Sequence, residues 1–172
     1  MNIVKLINTN TLGEMEFSLP LYDLDEYFIT IGAYSDYLEH NYLLDSIVGD
    51  FEFLEYDEQT DIARLNDLIL EFESLRPHEQ EKVLLLTGLY DNSVDAFHYA
   101  MNTYQKYTLL PDTLTSQKAI VQYIIKEIYE TPILKYFEDT IDYDLFWHIL
   151  FTTDLAIVFN KRVLVKHLEL GV

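Results

Sequence analysis

Between Lys5 and Arg64 the chain carries fourteen carboxylates and not one lysine or arginine. They are Glu14, Glu16, Asp23, Asp25, Glu26, Asp36, Glu39, Asp45, Asp50, Glu52, Glu55, Asp57, Glu58 and Asp61. A disordered acidic tail would look like this in charge but would lack the apolar surface that offsets the entropy of ordering a chain. Here hydrophobic residues make up 49% and aromatic residues 15% of 172, so the chain folds, as one ordinary domain or as two or three small modules. From Arg64 onward the balance is milder, sixteen acids against ten bases, with a second base-free stretch from Tyr136 to Asn160. The acidity is regional.

The formal net charge of −19 argues against direct binding to nucleic acid, whose affinity comes from Lys and Arg neutralising phosphates and releasing counterions. An acidic membrane surface would repel the chain too. With no cysteine, a disulfide scaffold, a thiolate zinc site and a cysteine nucleophile are excluded. The first twenty residues show no basic segment followed by an apolar one, and no run approaches the ~18 apolar residues that a membrane span needs. A soluble, cytoplasmic protein is the expectation.

Periodicity predicts a mixed α+β pattern around a helical middle. Residues 3–8 and 14–19 read as strands on either side of the turn Asn10-Thr11-Leu12-Gly13, followed by a short helix near 22–31 that ends at Gly32. Residues 50–57 read as another strand, with Phe51 and Phe53 on one face, Asp50 and Glu52 on the other, and a bulge near Leu54. Over 60–75, Ile62, Leu65, Leu68, Ile69, Phe72 and Leu75 form one apolar stripe that Thr60 or Asp61 caps, with Asp67, Glu71 and Glu73 facing water. A helix from Pro77 to Thr87 stopped by Gly88 follows, then one capped by Ser93 with Val94, Phe97, Met101 and Tyr104 inward.

An extended piece at 106–110 leads into a helix from Thr115 with Ile120, Val121, Ile124, Ile125 and Ile128 inward. Short helices are expected at 132–137 and 142–151, and residues 155–159 and 162–168 read as a hairpin around Asn160-Lys161.

Catalytic motifs are missing: there is no Gly-rich phosphate loop, no G-x-S-x-G and no H-E-x-x-H. Asp91-Asn92-Ser93-Val94-Asp95 begins like a calcium loop, but Ala96 stands where glycine is required and Asn102 where glutamate is, so a helix cap is the better reading. The five histidines His40, His78, His98, His148 and His167 are far apart and none is in ligand spacing with another. No metal and no cofactor is expected. Pairs such as Asp142 and Asp144 carry little signal for acid–base chemistry, because a chain with 30 acids produces many by chance. Fourteen tyrosines and ten phenylalanines without positive charge beside them read as core packing and subunit contacts rather than a base-stacking surface.

The charge itself remains. A salt-adapted surface is the plain explanation, but salt adaptation depletes large apolar groups and spreads acids everywhere, which this chain does not do. The alternative is that carboxylates stand in for phosphates. Acids four apart on a helix are ~6 Å apart along its axis, and acids two apart on a strand ~6.7 Å, about twice the ~3.4 Å phosphate rise per DNA strand. A compact globule of this length is ~40 Å across, the length of about a dozen base pairs with about two dozen phosphates.

Several segments together resemble the ArdA antirestriction family. They are FSLPLYDLDEYF (17–28), DFEFLEYDE (50–58) leading into IARLNDLILEFESL (62–75), SVDAFHYA (93–100), AIVQYIIKEIYE (119–130) and TPILKYFEDTIDYD (131–144). Where the family commonly continues with a Tyr-x-x-x-Gly-Arg-Asp type segment, this chain has Tyr143-Asp144-Leu145-Phe146-Trp147-His148.

The resemblance implies an elongated chain of small modules, with N- and C-terminal α/β modules flanking a helical middle, divided at 1–59, 60–104 and 105–172. It implies a homodimer that presents a DNA-like acidic stripe to the DNA groove of type I restriction-modification enzymes, blocking restriction and modification without covalent chemistry. The phosphate-mimicking set is then Asp23, Asp25, Glu26, Asp36, Glu39, Asp45, Asp50, Glu52, Glu55, Asp57, Glu58 and Asp61, continued by Asp67 and Glu71. The competing expectation is an acidic inhibitor or immunity protein for another DNA-binding nuclease, such as an RNA-guided one; a metal-dependent enzyme is a third class.

Overall fold

The first strand follows from strict alternation: Val4 and Leu6 are buried while Ile3, Lys5 and Ile7 take the other face. In the computed structural model, which describes residues 2–57, 60–130 and 140–167, β1 (Asn2–Asn8) pairs antiparallel with β2 (Glu14–Leu19) and β3 (Tyr42–Val48), in the order β2-β1-β3. Asn8 makes the first turn, its Oδ1 accepting the N–H groups of Asn10 and Thr11, each at 2.9 Å. On the buried face Phe17, Leu19, Leu44 and Ile47 complete the sheet side of the core.

Asp23 caps α1 (Leu24–Thr30) by accepting the Glu26 N–H at 2.8 Å, and Gly32, at φ +72°, closes it. The Phe28 ring is fully buried, stacked on Tyr37 at 4.2 Å and in contact with Phe17, Tyr27 and Tyr42. A five-residue helix that the periodicity does not reveal, α2 (Tyr34–Leu38), follows; it has no fully buried residue and hence no apolar stripe to read.

The strand expected at 50–57 is not formed. The edge strand is β3, one segment earlier, and Gly49 at φ 128° ends it. Two tight turns come next, with Glu52 N–H donating to the Gly49 carbonyl and Leu54 N–H to the Phe51 carbonyl. Phe51 and Leu54 are the buried residues, three apart, so the alternation of acids and phenylalanines is overridden by a turn that sends both toward the core. Glu55 instead makes a single parallel bridge to Ser93.

Asp61 caps α3 (Ile62–Ser74), accepting the N–H groups of Ala63 and Arg64 at 2.9 and 3.4 Å. Its stripe of Ile62, Leu65, Leu68, Ile69 and Phe72 is buried as expected. The next helix, α4 (Pro77–Tyr90), starts at Pro77 but does not stop at Gly88. Leu85, Leu86 and Thr87 are buried, so packing carries the helix through the glycine, and Asn92 at φ 58° supplies the left-handed stop. Ser93 Oγ accepts the Ala96 N–H at 3.0 Å and starts α5 (Val94–Thr103). Phe51, Phe72 and Phe97 meet with ring centroids 5.3–5.6 Å apart, tying the turn after β3 to α3 and α5.

The chain divides into two compact units, residues 1–101 and 102–172, with the division in the last turn of α5. In the second unit, β4 (Tyr107–Leu109), β6 (Arg162–Lys166) and β5 (Ala156–Phe159) form an antiparallel sheet in the order β4-β6-β5. Asn160 and Lys161, both at positive φ, join β5 to β6 in a two-residue hairpin turn.

Ser116 caps α6 (Gln117–Tyr123), which runs on as a π turn at Ile124–Ile128, and α7 (Tyr143–Thr152) packs against α6. Ile120, Val121, Ile124, Ile125, Leu150, Val163 and Val165 belong to this unit's core. The helix expected at 132–137 lies outside the described residues. The architecture is mixed α+β with a helical middle. Among the described residues no helix is long and apolar enough to cross a membrane.

Candidate acidic interface

The division into units sorts the charge. Residues 1–101 hold twenty-one carboxylates against four lysines and arginines, a formal −17; residues 102–172 hold nine against seven, or −2. All fourteen acids of the predicted set fall in the first unit. Twelve of the thirteen described are exposed, Asp36 is half-buried, and Glu58 lies outside the described residues.

Local structure explains how each is presented. Asp23, Asp25 and Glu26 crowd the first turn of α1, where the helix dipole favours them. Asp67 and Glu71 lie four apart on the outward side of α3, opposite the stripe that anchors it. Asp45 is an outward residue of β3, and Asp50 and Glu52 sit in the turns that follow.

Asp36 is engaged internally: its carboxylate accepts amide donors from Asn8 at 2.9 Å, Asn41 at 3.3 Å and Asn10 at 3.4 Å, tying α2 to the sheet. Glu39 accepts from Asn41 at 3.1 Å. Lys5 is shared between Glu14 at 3.0 Å and Asp45 at 3.6 Å, and the Glu14 hydrogen bond, aided by Asp45, raises its pKa above the usual 10.5.

Among the described residues no cation lies within ion-pair distance of Asp23, Asp25, Glu26, Asp36, Glu39, Glu52, Glu55, Asp57, Asp61, Asp67 or Glu71.

Two clefts bring part of this set together. One, of about 500 Å³, has Asp25 and Asp61 among walls formed by Tyr37, Tyr42, Leu43 and Ala63. The other, of about 450 Å³, gathers Glu55, Asp57, Asp61 and Asp95 around Arg64, whose Nη1 is 2.9 Å from Asp95. Asp61 and Thr60 belong to both. The Glu55 bridge positions the second cleft, with Glu55 N–H donating to Asn92 and Val94 N–H donating back to Glu55 at 2.8 and 3.1 Å. Asp23, Glu26, Asp36, Glu39, Asp45, Asp50, Glu52, Asp67 and Glu71 line neither cleft.

Sequence reasoning missed Asp95, Tyr37 and Tyr42 as members of this surface. Asp95 lies 34 residues beyond Asp61, and only the folding of α5 onto the 55–57 segment brings it near. Burial and the charges of Asp25 and Asp61 hold the Tyr37 phenol above its ordinary 10.0, with smaller contributions from Tyr34 and Asp67. The tyrosine thus stays a neutral donor among carboxylates. Among the described residues no group of three or more His, Asp or Glu is arranged to hold a metal ion.

No protein-family model matches the chain, and no curated protein matches it in sequence.

Proposed function

We propose that this chain is a DNA-mimicking inhibitor that occupies the positively charged DNA groove of a type I restriction-modification enzyme and so blocks restriction and modification. The observation that carries this reading is the segregation of charge. A formal −17 sits on one unit, and among its described residues most of the carboxylates are exposed with no cation in ion-pair distance, while the other unit is near neutral. A surface like this gains from a basic partner because its acids are not neutralised internally, and each exposed pair contributes only ~0–1 kcal/mol, so binding rests on many contacts at once.

The mechanism needs no bond chemistry. The long-range field speeds encounter with a basic groove, and occupancy then excludes DNA by sterics and charge. Two copies acting as a homodimer would lengthen the acidic surface and match a longer DNA site.

The test is a purified type I enzyme assayed for cleavage and methylation with increasing amounts of the chain, together with capture from a host lysate at low and high salt. Loss of both activities, relieved by added DNA and by salt, supports the reading. Undiminished activities with no capture of the enzyme's subunits overturn it, and capture of a different nuclease would move the assignment to that enzyme.

A further inference from the structure

We propose that the cleft formed by α1, α2, β3 and the start of α3 is a receptor for an arginine side chain presented by the partner protein. The inference rests on reading the chain as an inhibitor of a DNA-binding enzyme, and it adds a specific anchor to a surface otherwise treated as diffuse charge.

The cleft has the size for it: about 500 Å³ is within the ~300–1,000 Å³ of clefts that enclose a ligand group. Its walls have the chemistry. Leu38, Leu43, Ile62 and Ala63 are apolar, Tyr37 and Tyr42 offer ring surface, His40 and Thr60 add an imidazole and a hydroxyl, and the carboxylates are those of Asp25 and Asp61. Among the described residues no lysine or arginine lines it, and the imidazole of His40 faces two carboxylates. An anion is disfavoured there, and a neutral apolar group would leave two carboxylates facing it.

A group that is flat, cationic and carried on an apolar stem satisfies all three wall types at once. Guanidinium does so better than ammonium, because it stacks on aromatic rings and pairs with carboxylates through two parallel N–H bonds.

The aromatic walls are also packed against the core. Phe28, fully buried, stacks on Tyr37 with centroids 4.2 Å apart and planes 5° from parallel, and its ring lies 5.6 Å from Tyr42, so both are braced from behind. A preformed wall loses little entropy when a side chain enters.

The start of α3 does not oppose a cation. Its Ala63 and Arg64 N–H groups already donate to Asp61, so the positive helix end is covered by a carboxylate.

The full chain is titrated with N-acetyl-arginine amide and with N-acetyl-citrulline amide, which has the same shape without the charge, and the methyl signals of Ala63, Leu43 and Ile62 are followed by NMR. Saturable shifts with the arginine amide and none with the citrulline amide support the proposal. Ala63→Leu, which fills the cleft at constant charge, is expected to abolish them. Asp25→Asn is expected to weaken binding about fivefold, while Glu73→Gln, removing the same charge from an exposed site on α3 outside the acidic set, leaves it within about twofold.

Equal responses to both amides, or equal effects of Asp25→Asn and Glu73→Gln, overturn it. The same variants in the restriction assay separate this proposal from the wider reading. Inhibition unchanged by Ala63→Leu sinks the arginine receptor and leaves the inhibitor. Selective arginine binding by a chain that inhibits no restriction enzyme supports the receptor and sinks the assignment of the target.

Discussion

Asn66 and Leu21 clamp each other with two hydrogen bonds: the Leu21 N–H donates to Asn66 Oδ1 at 2.7 Å, and Asn66 Nδ2 donates to the Leu21 carbonyl at 2.9 Å. Asn66 is 2% exposed on the buried side of α3, and it fastens the segment between β2 and α1 to that helix. Asn66→Leu keeps the size but strands both Leu21 groups, a loss of about 1–3 kcal/mol. In a unit of this length that corresponds to a melting temperature lower by roughly 5–20 °C, read by calorimetry. An unchanged melt would mean the clamp adds nothing.

Binding by distributed charge has a particular response to mutation. Neutralising one exposed acid, Glu52→Gln or Asp67→Asn, should change inhibition less than about fivefold. Six together on the first unit should weaken it by orders of magnitude and flatten its dependence on salt, because screening acts on each exposed pair. Neutralising Asp144 and Asp154 in the near-neutral second unit should leave inhibition unchanged. Titration of purified restriction enzyme with each variant at two salt concentrations measures all three.

Alkaline pH should destabilise the fold. A phenol or ammonium whose folded-state pKa lies above its unfolded value binds its proton longer when folded, so its contribution is complete below the unfolded pKa and disappears as pH rises through the folded one. Tyr27, Tyr37 and Tyr129, raised chiefly by burial, and Lys5, raised chiefly by Glu14, all have this sign, and among the described residues only Lys82, which burial lowers, opposes them. Denaturation midpoints should therefore fall from about pH 10 upward, and Tyr37→Phe should remove part of that fall. A midpoint that stays flat as pH rises through the ordinary range of tyrosine and lysine would contradict the assignment.

The hairpin of the second unit carries a correctable strain. Asn160 and Lys161 have φ of 48° and 63°, and a two-residue turn with positive φ at both positions prefers glycine at the second. Lys161→Gly should stabilise the second unit by about 0.5–1 kcal/mol, the left-handed penalty relieved less the entropy glycine loses. Trp147, the one tryptophan of the chain, stands in α7 of that unit and reports its denaturation midpoint by fluorescence.

Where periodicity is strong, local reading and structure coincide, because burying a continuous apolar stripe stabilises an element more than any local preference opposes it. The stripe of α3, the caps at Asp61 and Ser93, and the β5–β6 hairpin are all in place. Reading fails where tertiary packing outweighs a local pattern. Phe51 and Phe53 alternate with acids like a strand, yet Phe51 turns to meet Phe72 and Phe97. Gly88 looks like a stop, yet its buried neighbours hold it inside α4. The short helix α2 buries nothing fully and so leaves no periodic signal.

The amount of charge and its confinement to one stretch of chain are properties of composition and order alone, since carboxylates stay ionised and solvated wherever the chain does not bury them. Which of those carboxylates converge is a different kind of fact. Asp25 and Asp61 share a cleft with Tyr37 because α1 and α3 both pack their apolar faces inward, and Asp95 reaches Arg64 because Glu55 is bridged to Ser93. Contacts between residues that distant are selected by burial of the apolar side chains around them, so they exist only in the folded molecule.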